Sequence, residues 1–252
     1  MSTDATGAGW FGLPFPPLPL LPLRLWSEWS STLDRRRWPD PPSGDARPAL
    51  MIPGFLAGDP SLTRMAVWLR EGGFVPMRSG ISANVACLEP TLSALQIRLE
   101  EAVERAGRPA LVIGQSRGGC VGRALAVLRP DLVDTLVTLG SPLLDQLAVH
   151  AHIFPSIVAV TALGTAGMPG MFSLSCLRGD CCEEARDALR APFPDHVRFV
   201  SLYSRSDEVV RWRACLDPGA QHVEVDASHI GMGVSRSAWT AVAGALAGHA
   251  VA

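Results

Sequence analysis

Ala110-Leu111-Val112-Ile113-Gly114-Gln115-Ser116-Arg117-Gly118-Gly119 is an apolar run that ends in Gly-x-Ser-x-Gly and leads into a helix-like segment. Pro109 to Ile113 predicts a short buried strand opened by a proline. Arg117 to Arg129 predicts a helix, with Val121, Ala124, Leu125 and Leu128 at helical spacing and Pro130 as the stop. A serine on a sharp turn between strand and helix stands clear of its neighbours' backbone. Substrate can then approach its hydroxyl from one side and a base from the other. The five-residue pattern alone is common in a glycine-rich chain, so the strand before it and the helix after it give it its weight. Ser116 is the candidate nucleophile.

Working outward, the same rhythm recurs. Pro48 to Ile52 predicts a buried strand ending at Pro53-Gly54-Phe55, and Ser61 to Gly72 a helix capped by Asp59 or Ser61. Phe74 to Arg78 is a short strand. Leu92 to Ala106 is an amphipathic helix with Leu92, Leu95, Ile97, Leu99 and Val103 expected inward. Val133 to Leu139, Val197 to Tyr203 and His222 to Val225 are further strands, and Ser237 to His249 is a closing helix. Apolar strands without alternation, separated by helices, predict an α/β fold whose mostly parallel sheet is covered by helices on both faces.

Two regions break that rhythm. Residues 1–47 form a Pro-rich apolar arm, with a short helix expected over Leu25 to Arg37 that carries Trp26, Trp29, Leu33 and Trp38. Such an arm can wrap the domain at 48–252, or rest on a membrane interface with Arg24, Arg35, Arg36 and Arg37 near acidic headgroups. Residues 145–195 interrupt the strand–helix alternation with an apolar stretch and a charged helix from Glu183 to Arg190. They follow a strand, on the edge where parallel-sheet sites lie, and are expected to form a small cap lining an apolar pocket.

Composition narrows the chemistry. With 48% hydrophobic and 18% charged residues and a net charge of -2, the 252-residue chain gives no footprint for nucleic acid. All 22 basic residues are arginine, which removes Schiff-base lysines and Walker-type phosphate loops. No span is long and apolar enough for a membrane helix, and Met1 to Leu23 does not look like a signal peptide, so an intracellular, cytoplasmic location is expected. Cys176, Cys181 and Cys182 cluster, whereas Cys87, Cys120 and Cys215 are scattered. With no C-x-x-C pair, a zinc ribbon is not expected and no metal site is evident. The thiols are either buried and reduced, or one pair closes the Leu177–Asp180 loop as a disulfide.

A serine nucleophile needs a base, and the base needs an orienting acid. Of six histidines, only His229 combines late chain position with the end of a strand, in Asp226-Ala227-Ser228-His229-Ile230-Gly231. Asp207, in the loop Tyr203-Ser204-Arg205-Ser206-Asp207 after a strand, is the candidate acid, with Glu208 and Asp217 as weaker rivals and Asp226 too close to His229 along the chain to be preferred. An oxyanion requires preorganised N–H donors, each worth about 3–4 kcal/mol. The backbone N–H of Arg117 and that of Phe55, with Leu56 next, are the candidates. The Arg117 guanidinium is expected to pair with an acid at the sheet edge.

These landmarks together resemble the α/β-hydrolase superfamily, and within it small bacterial triacylglycerol lipase or esterase-like proteins. The resemblance covers about residues 48–250. It rests on Pro53-Gly54-Phe55, Gly114-Gln115-Ser116-Arg117-Gly118, Gly140-Ser141-Pro142, Ser204-Arg205-Ser206-Asp207 with Val209-Val210, and Ser228-His229. It implies an acyl-enzyme on Ser116, proton transfer by His229, an imidazole held by Asp207, and small-molecule or lipid esters as substrates, with no cofactor. Acyl transfer, thioester hydrolysis and a non-catalytic binding role on the same fold are the alternatives. Many lipases carry His where this chain has Pro53 and Gln115, and neither side chain is expected to be a required donor.

Overall fold

The computed structural model describes residues 27–30 and 32–247. The apolar stretch Gly9 to Leu23, Arg24, Trp26 and His249 lie outside the described residues. Six strands, β1 (Pro48–Ile52), β2 (Val75–Arg78), β3 (Ala110–Gln115), β4 (Val133–Leu139), β5 (Arg198–Tyr203) and β6 (Gln221–Glu224), form one parallel sheet in the order β2-β1-β3-β4-β5-β6. The helices are α1 (Thr63–Glu71), α2 (Leu88–Ala106), α3 (Arg117–Leu128), α4 (Phe154–Thr165), α5 (Leu174–Arg178), α6 (Glu183–Arg190) and α7 (Arg236–Ala247).

The central strands are apolar throughout because both sheet faces are covered. Successive side chains alternate between two cores. Ala49, Met51, Leu111, Ile113, Val137 and Val200 face α1 and α7, where Met65, Trp68, Trp239 and Val242 meet them. Leu50, Ile52, Val112 and Leu136 face the other way, against Leu92, Leu95, Leu99, Val121, Leu125 and Ala185 of α2, α3 and α6. Crossovers on both faces place every strand's C-terminal end on one edge. Ile52, Gln115, Leu139, Tyr203 and Glu224 therefore open onto that edge, which gathers the loops that follow them.

Local details differ from expectation at three places. Ile97 of α2 is 59% exposed, because the buried stripe runs Leu92, Leu95, Leu99, Ala102 at i, i+3, i+4 spacing and leaves position 97 on the opposite face. Neither Asp59 nor Ser61 caps α1: a 3-10 turn over Asp59–Leu62 precedes it, and its N-cap is Leu62. Asp59 instead accepts from the Ser79 and Gly80 amides at 3.1 and 3.0 Å, tying this turn to the segment after β2. Finally, α2 begins at Leu88, a turn earlier than predicted, with Cys87 at its N-cap.

Residues 27–30 are helical, and Arg35–Arg37 form a single 3-10 turn. This segment lies on α1 and α7. Trp38 meets Trp239 edge-on at 5.1 Å, Trp239 stacks on Trp68 at 5.2 Å, and the Trp68 indole N–H donates to the Pro39 carbonyl at 2.8 Å. Between β4 and β5 come α4, α5 and α6; α4 packs on α5, whereas α6 packs on α3 and joins the core of that face, so this part of the expected cap belongs to the helix layer. No helix among the described residues is long and apolar enough to cross a membrane.

Candidate active site

Ser116 sits between β3 and α3 with φ 52° and ψ −124°, a conformation that L-residues rarely adopt. The turn is enforced from outside. The Ser116 amide donates to the Leu139 carbonyl at 2.8 Å, locking the end of β3 to the end of β4. The residues at either side must be glycine for steric reasons. A Cβ on Gly114 would overlap the Gly118 carbonyl, and one on Gly118 would overlap the Ile52 and Pro53 carbonyls. The motif's glycines thus let strand, turn and helix approach closely enough to project the serine.

The Pro53-Gly54-Phe55 loop follows β1 and abuts this turn, since a Cβ on Gly54 would lie 3.2 Å from the Ser116 Cβ. Phe55 and Arg117 flank Ser116 along one cavity. Asn84, buried in the segment after β2, links the two sides. Its amide donates to the Pro53 carbonyl at 2.7 Å, and its Oδ1 accepts from the Arg117 guanidinium at 2.8 Å. The guanidinium also donates to the Asn84 and Ala86 carbonyls at 3.3 and 2.7 Å. This corrects the expectation of an acidic partner at the sheet edge: Arg117 points into the segment after β2, where carbonyls and an amide oxygen receive it. Burial lowers its pKa from the ordinary arginine value.

On the other side of Ser116, the Asp207 Oδ2 and the His229 Nδ1 lie 2.7 Å apart, both side chains buried. The Asp207 Oδ1 accepts from the Val209 and Val210 amides at 2.8 and 2.7 Å, which fixes the carboxylate and leaves its second oxygen for the imidazole. Gly140 makes room for it, because a Cβ there would stand 3.0 Å from Oδ2. The rival acids are engaged elsewhere. Glu208 accepts from the His229 amide at 3.1 Å, and Asp217 pairs with Arg123 at 2.6 Å.

Three contributors were not anticipated. Gln115 was expected to need no particular side chain, yet its Nε2 donates to the His229 carbonyl at 3.0 Å. Glu28 reaches the same loop and accepts from the Ser228 amide at 2.8 Å and from its hydroxyl. Asn84 stands in a stretch without motif or periodicity. Only the Gly-x-Ser-x-Gly frame around Gln115 offered a signal in the sequence.

In front of Ser116 lies a cavity of about 360 Å³ whose walls include Phe55, Leu143, Leu147, Ile157, Phe172 and Val209. The chain between β4 and β5 supplies much of this apolar wall. An adjoining groove along α4, with Phe154, Val158 and Ala162, extends it outward. A second cluster lies at the cavity's far margin. Cys87, counted as scattered in the sequence, joins Cys176, Cys181 and Cys182, and the four sulfurs lie within 4.8 Å of one another. All six cysteines are free thiols, so the Leu177–Asp180 loop is not closed by a disulfide.

No protein-family model and no curated protein matches the sequence. Solved structures do resemble the chain. A soluble variant of the monoglyceride lipase of Saccharomyces cerevisiae aligns with a TM-score of 0.60 at 12% identity, over 85% of this chain and 90% of that one. A monoacylglycerol lipase of Paleococcus ferrophilus aligns with a TM-score of 0.57 at 13% identity, over 83% and 97%. A lipase of Bacillus licheniformis aligns with a TM-score of 0.53 at 13% identity, over 78% and 89%. Taken with the six-stranded parallel sheet and the helices on both its faces, these likenesses show that the chain has the α/β-hydrolase fold.

Proposed function

We propose that the protein is a serine hydrolase that cleaves carboxylic esters of apolar acyl groups. The observation that carries this reading is the buried Asp207–His229 contact of 2.7 Å, on the same sheet edge as the Ser116 turn. Asp207, saturated on one oxygen by two amides, keeps the His229 Nδ1 protonated. The Nε2 lone pair then serves as base. Ser116 Oγ loses its proton to that nitrogen and attacks the ester carbonyl. The tetrahedral oxyanion is received by the backbone N–H groups of Phe55 and Arg117. Collapse expels the alcohol, which takes the proton from His229, and leaves the acyl group on Ser116. Water, activated by His229 in turn, releases the acid.

The apolar substrate class rests on the cavity wall. Phe55, Leu143, Leu147, Ile157 and Phe172 offer hydrocarbon contact to an acyl chain, while Arg117, Asp145, Gln146, Arg186 and Arg190 complete the lining. Lipase neighbours of this fold add analogy for ester substrates.

The test is covalent labelling by a fluorophosphonate probe alongside hydrolysis of a p-nitrophenyl ester. Folded wild-type protein should label and turn over, and Ser116→Ala should do neither. No labelling of folded wild type, or unchanged labelling in Ser116→Ala, overturns the reading. Products formed with a competing alcohol or thiol acceptor distinguish hydrolysis from acyl transfer.

A further inference from the structure

Cys87 is the N-cap of α2, Cys176 lies within α5, Cys181 follows it, and Cys182 is the N-cap of α6. Two distant pieces of chain, the start of α2 and the run from Cys176 to Cys182, therefore deliver four sulfurs to one point. The Cys181 Sγ stands 3.6 Å from that of Cys87, 3.3 Å from that of Cys176 and 3.5 Å from that of Cys182. A thiol placed for one disulfide has one near sulfur, at about 2.0 Å once bonded. Cys181 has three, at nearly equal distances.

Such equivalence suits a shared central ion. Four thiolates at about 2.3 Å from a tetrahedral zinc stand roughly 3.8 Å from one another. The Cys181 distances fall a few tenths of an ångström short of that edge. The Cys87–Cys182 pair, at 2.9 Å, would have to open by somewhat under 1 Å.

The surroundings fit anionic sulfur. The Ser173 amide donates to the Cys176 Sγ at 3.3 Å, and the Ser175 hydroxyl to the Cys181 Sγ at 3.8 Å. Such donors orient metal-bound thiolates and spread their charge. Cys87 and Cys182 stand at helix N-termini, where the helix dipole favours negative charge. The half-buried Arg117 guanidinium, bonded to the Ala86 carbonyl beside Cys87, lies within electrostatic reach of Cys87, Cys176 and Cys182.

We propose that Cys87, Cys176, Cys181 and Cys182 form a tetrathiolate zinc site that staples the chain between β4 and β5 to the start of α2. Binding is acid–base and not redox. Each thiol gives its proton to solvent as its S–Zn bond forms, so one zinc ion displaces four protons and the site carries two negative charges. Cys176, Leu177 and Cys182 border the cavity that holds Ser116, so the ion would fix one wall of it. The site does not depend on the reaction proposed for Ser116.

The full-length protein, purified under reducing conditions from zinc-supplied cells, is dialysed against a mild chelator and its metal content measured by elemental analysis. The expected result is one zinc per chain, retained in Cys120→Ala and lost in Cys181→Ser. Cobalt in place of zinc should give thiolate charge-transfer absorption and tetrahedral d–d bands, both lost in the same variant. Should Cys181→Ser fail to fold, the wild-type zinc content and cobalt spectrum decide alone. Zinc-free wild-type protein overturns the proposal, whether its thiols titrate as free, are paired as two disulfides, or hold iron. Zinc retained by folded Cys181→Ser overturns it as well. None of these readings uses ester hydrolysis, so their failure is separate from failure of the hydrolase assignment.

Discussion

The amide of Gln115 holds the backbone carbonyl of His229 at 3.0 Å, joining the residue before the Ser116 turn to a residue 114 positions later. Both lie in the interior, and the same amide reaches toward the Ile230 carbonyl at 3.4 Å. In Gln115→Leu the His229 carbonyl loses its donor while staying buried, at a cost of about 1–3 kcal/mol. Urea denaturation should show that loss. Ester hydrolysis should lose kcat by more than KM changes, because the acyl pocket is untouched while the imidazole loop is loosened. Equal kcat in the variant would mean that this contact supports folding only.

The two oxygens of Asp207 have different partners, and that division predicts a specific defect. Asp207→Asn can still accept from Val209 and Val210 through its carbonyl oxygen. It would then turn its NH2 toward the His229 Nδ1, which must become an acceptor. The ring proton moves to Nε2, and the base is lost. The fold should persist, while kcat falls by about four orders of magnitude. A loss smaller than tenfold in folded Asp207→Asn would remove Asp207 from the mechanism.

Behind the serine, Arg123 of α3 forms a buried ion pair with Asp217 at 2.6 Å and donates to the carbonyls of Ala188 and Ala191 at the end of α6. One side chain thus binds the helix behind Ser116 to α6 and to the loop leading into β6. Arg123→Met leaves a buried carboxylate uncompensated, which costs about 3–5 kcal/mol. Arg123→Met combined with Asp217→Asn removes that charge and should recover part of the loss. Chemical denaturation of the three variants measures the coupling. A double variant no more stable than Arg123→Met would locate the cost in lost packing.

The sheet and the serine turn were legible because their signals are local. Val133–Leu139 and Glu183–Arg190 could be bounded to the residue, since apolar period, charge and flanking Pro or Gly act within a few positions. Ile97 misled because an apolar residue off the helical stripe looks like its neighbours. The supports of the site are different in kind. Asn84 meets Pro53 across 31 positions, Gln115 meets His229 across 114, and Glu28 meets Ser228 across 200. Nothing around Asn84 or Glu28 marks them, and the motif around Gln115 does not name its partner, because these roles exist only once the sheet has brought separate loops together. Cys87 is the same case. Its partners Cys181 and Cys182 lie 94 and 95 positions away, so C-x4-C-C alone revealed three quarters of the cluster.

The backbone of Ser116 carries its own prediction. At φ 52° and ψ −124° a residue with a Cβ is strained by about 1–3 kcal/mol, whereas glycine occupies that region freely. Ser116→Ala keeps the strain and loses the hydroxyl. Ser116→Gly loses both, and gives back about 0.4–1 kcal/mol through the greater freedom of its unfolded chain. The glycine variant should therefore be the more stable of the two by about 1 kcal/mol, with both unlabelled by a fluorophosphonate. Thermal unfolding of the pair reads the difference directly. A glycine variant less stable than the alanine variant would mean that the turn is relaxed, and that the serine is not held in a strained position for reaction.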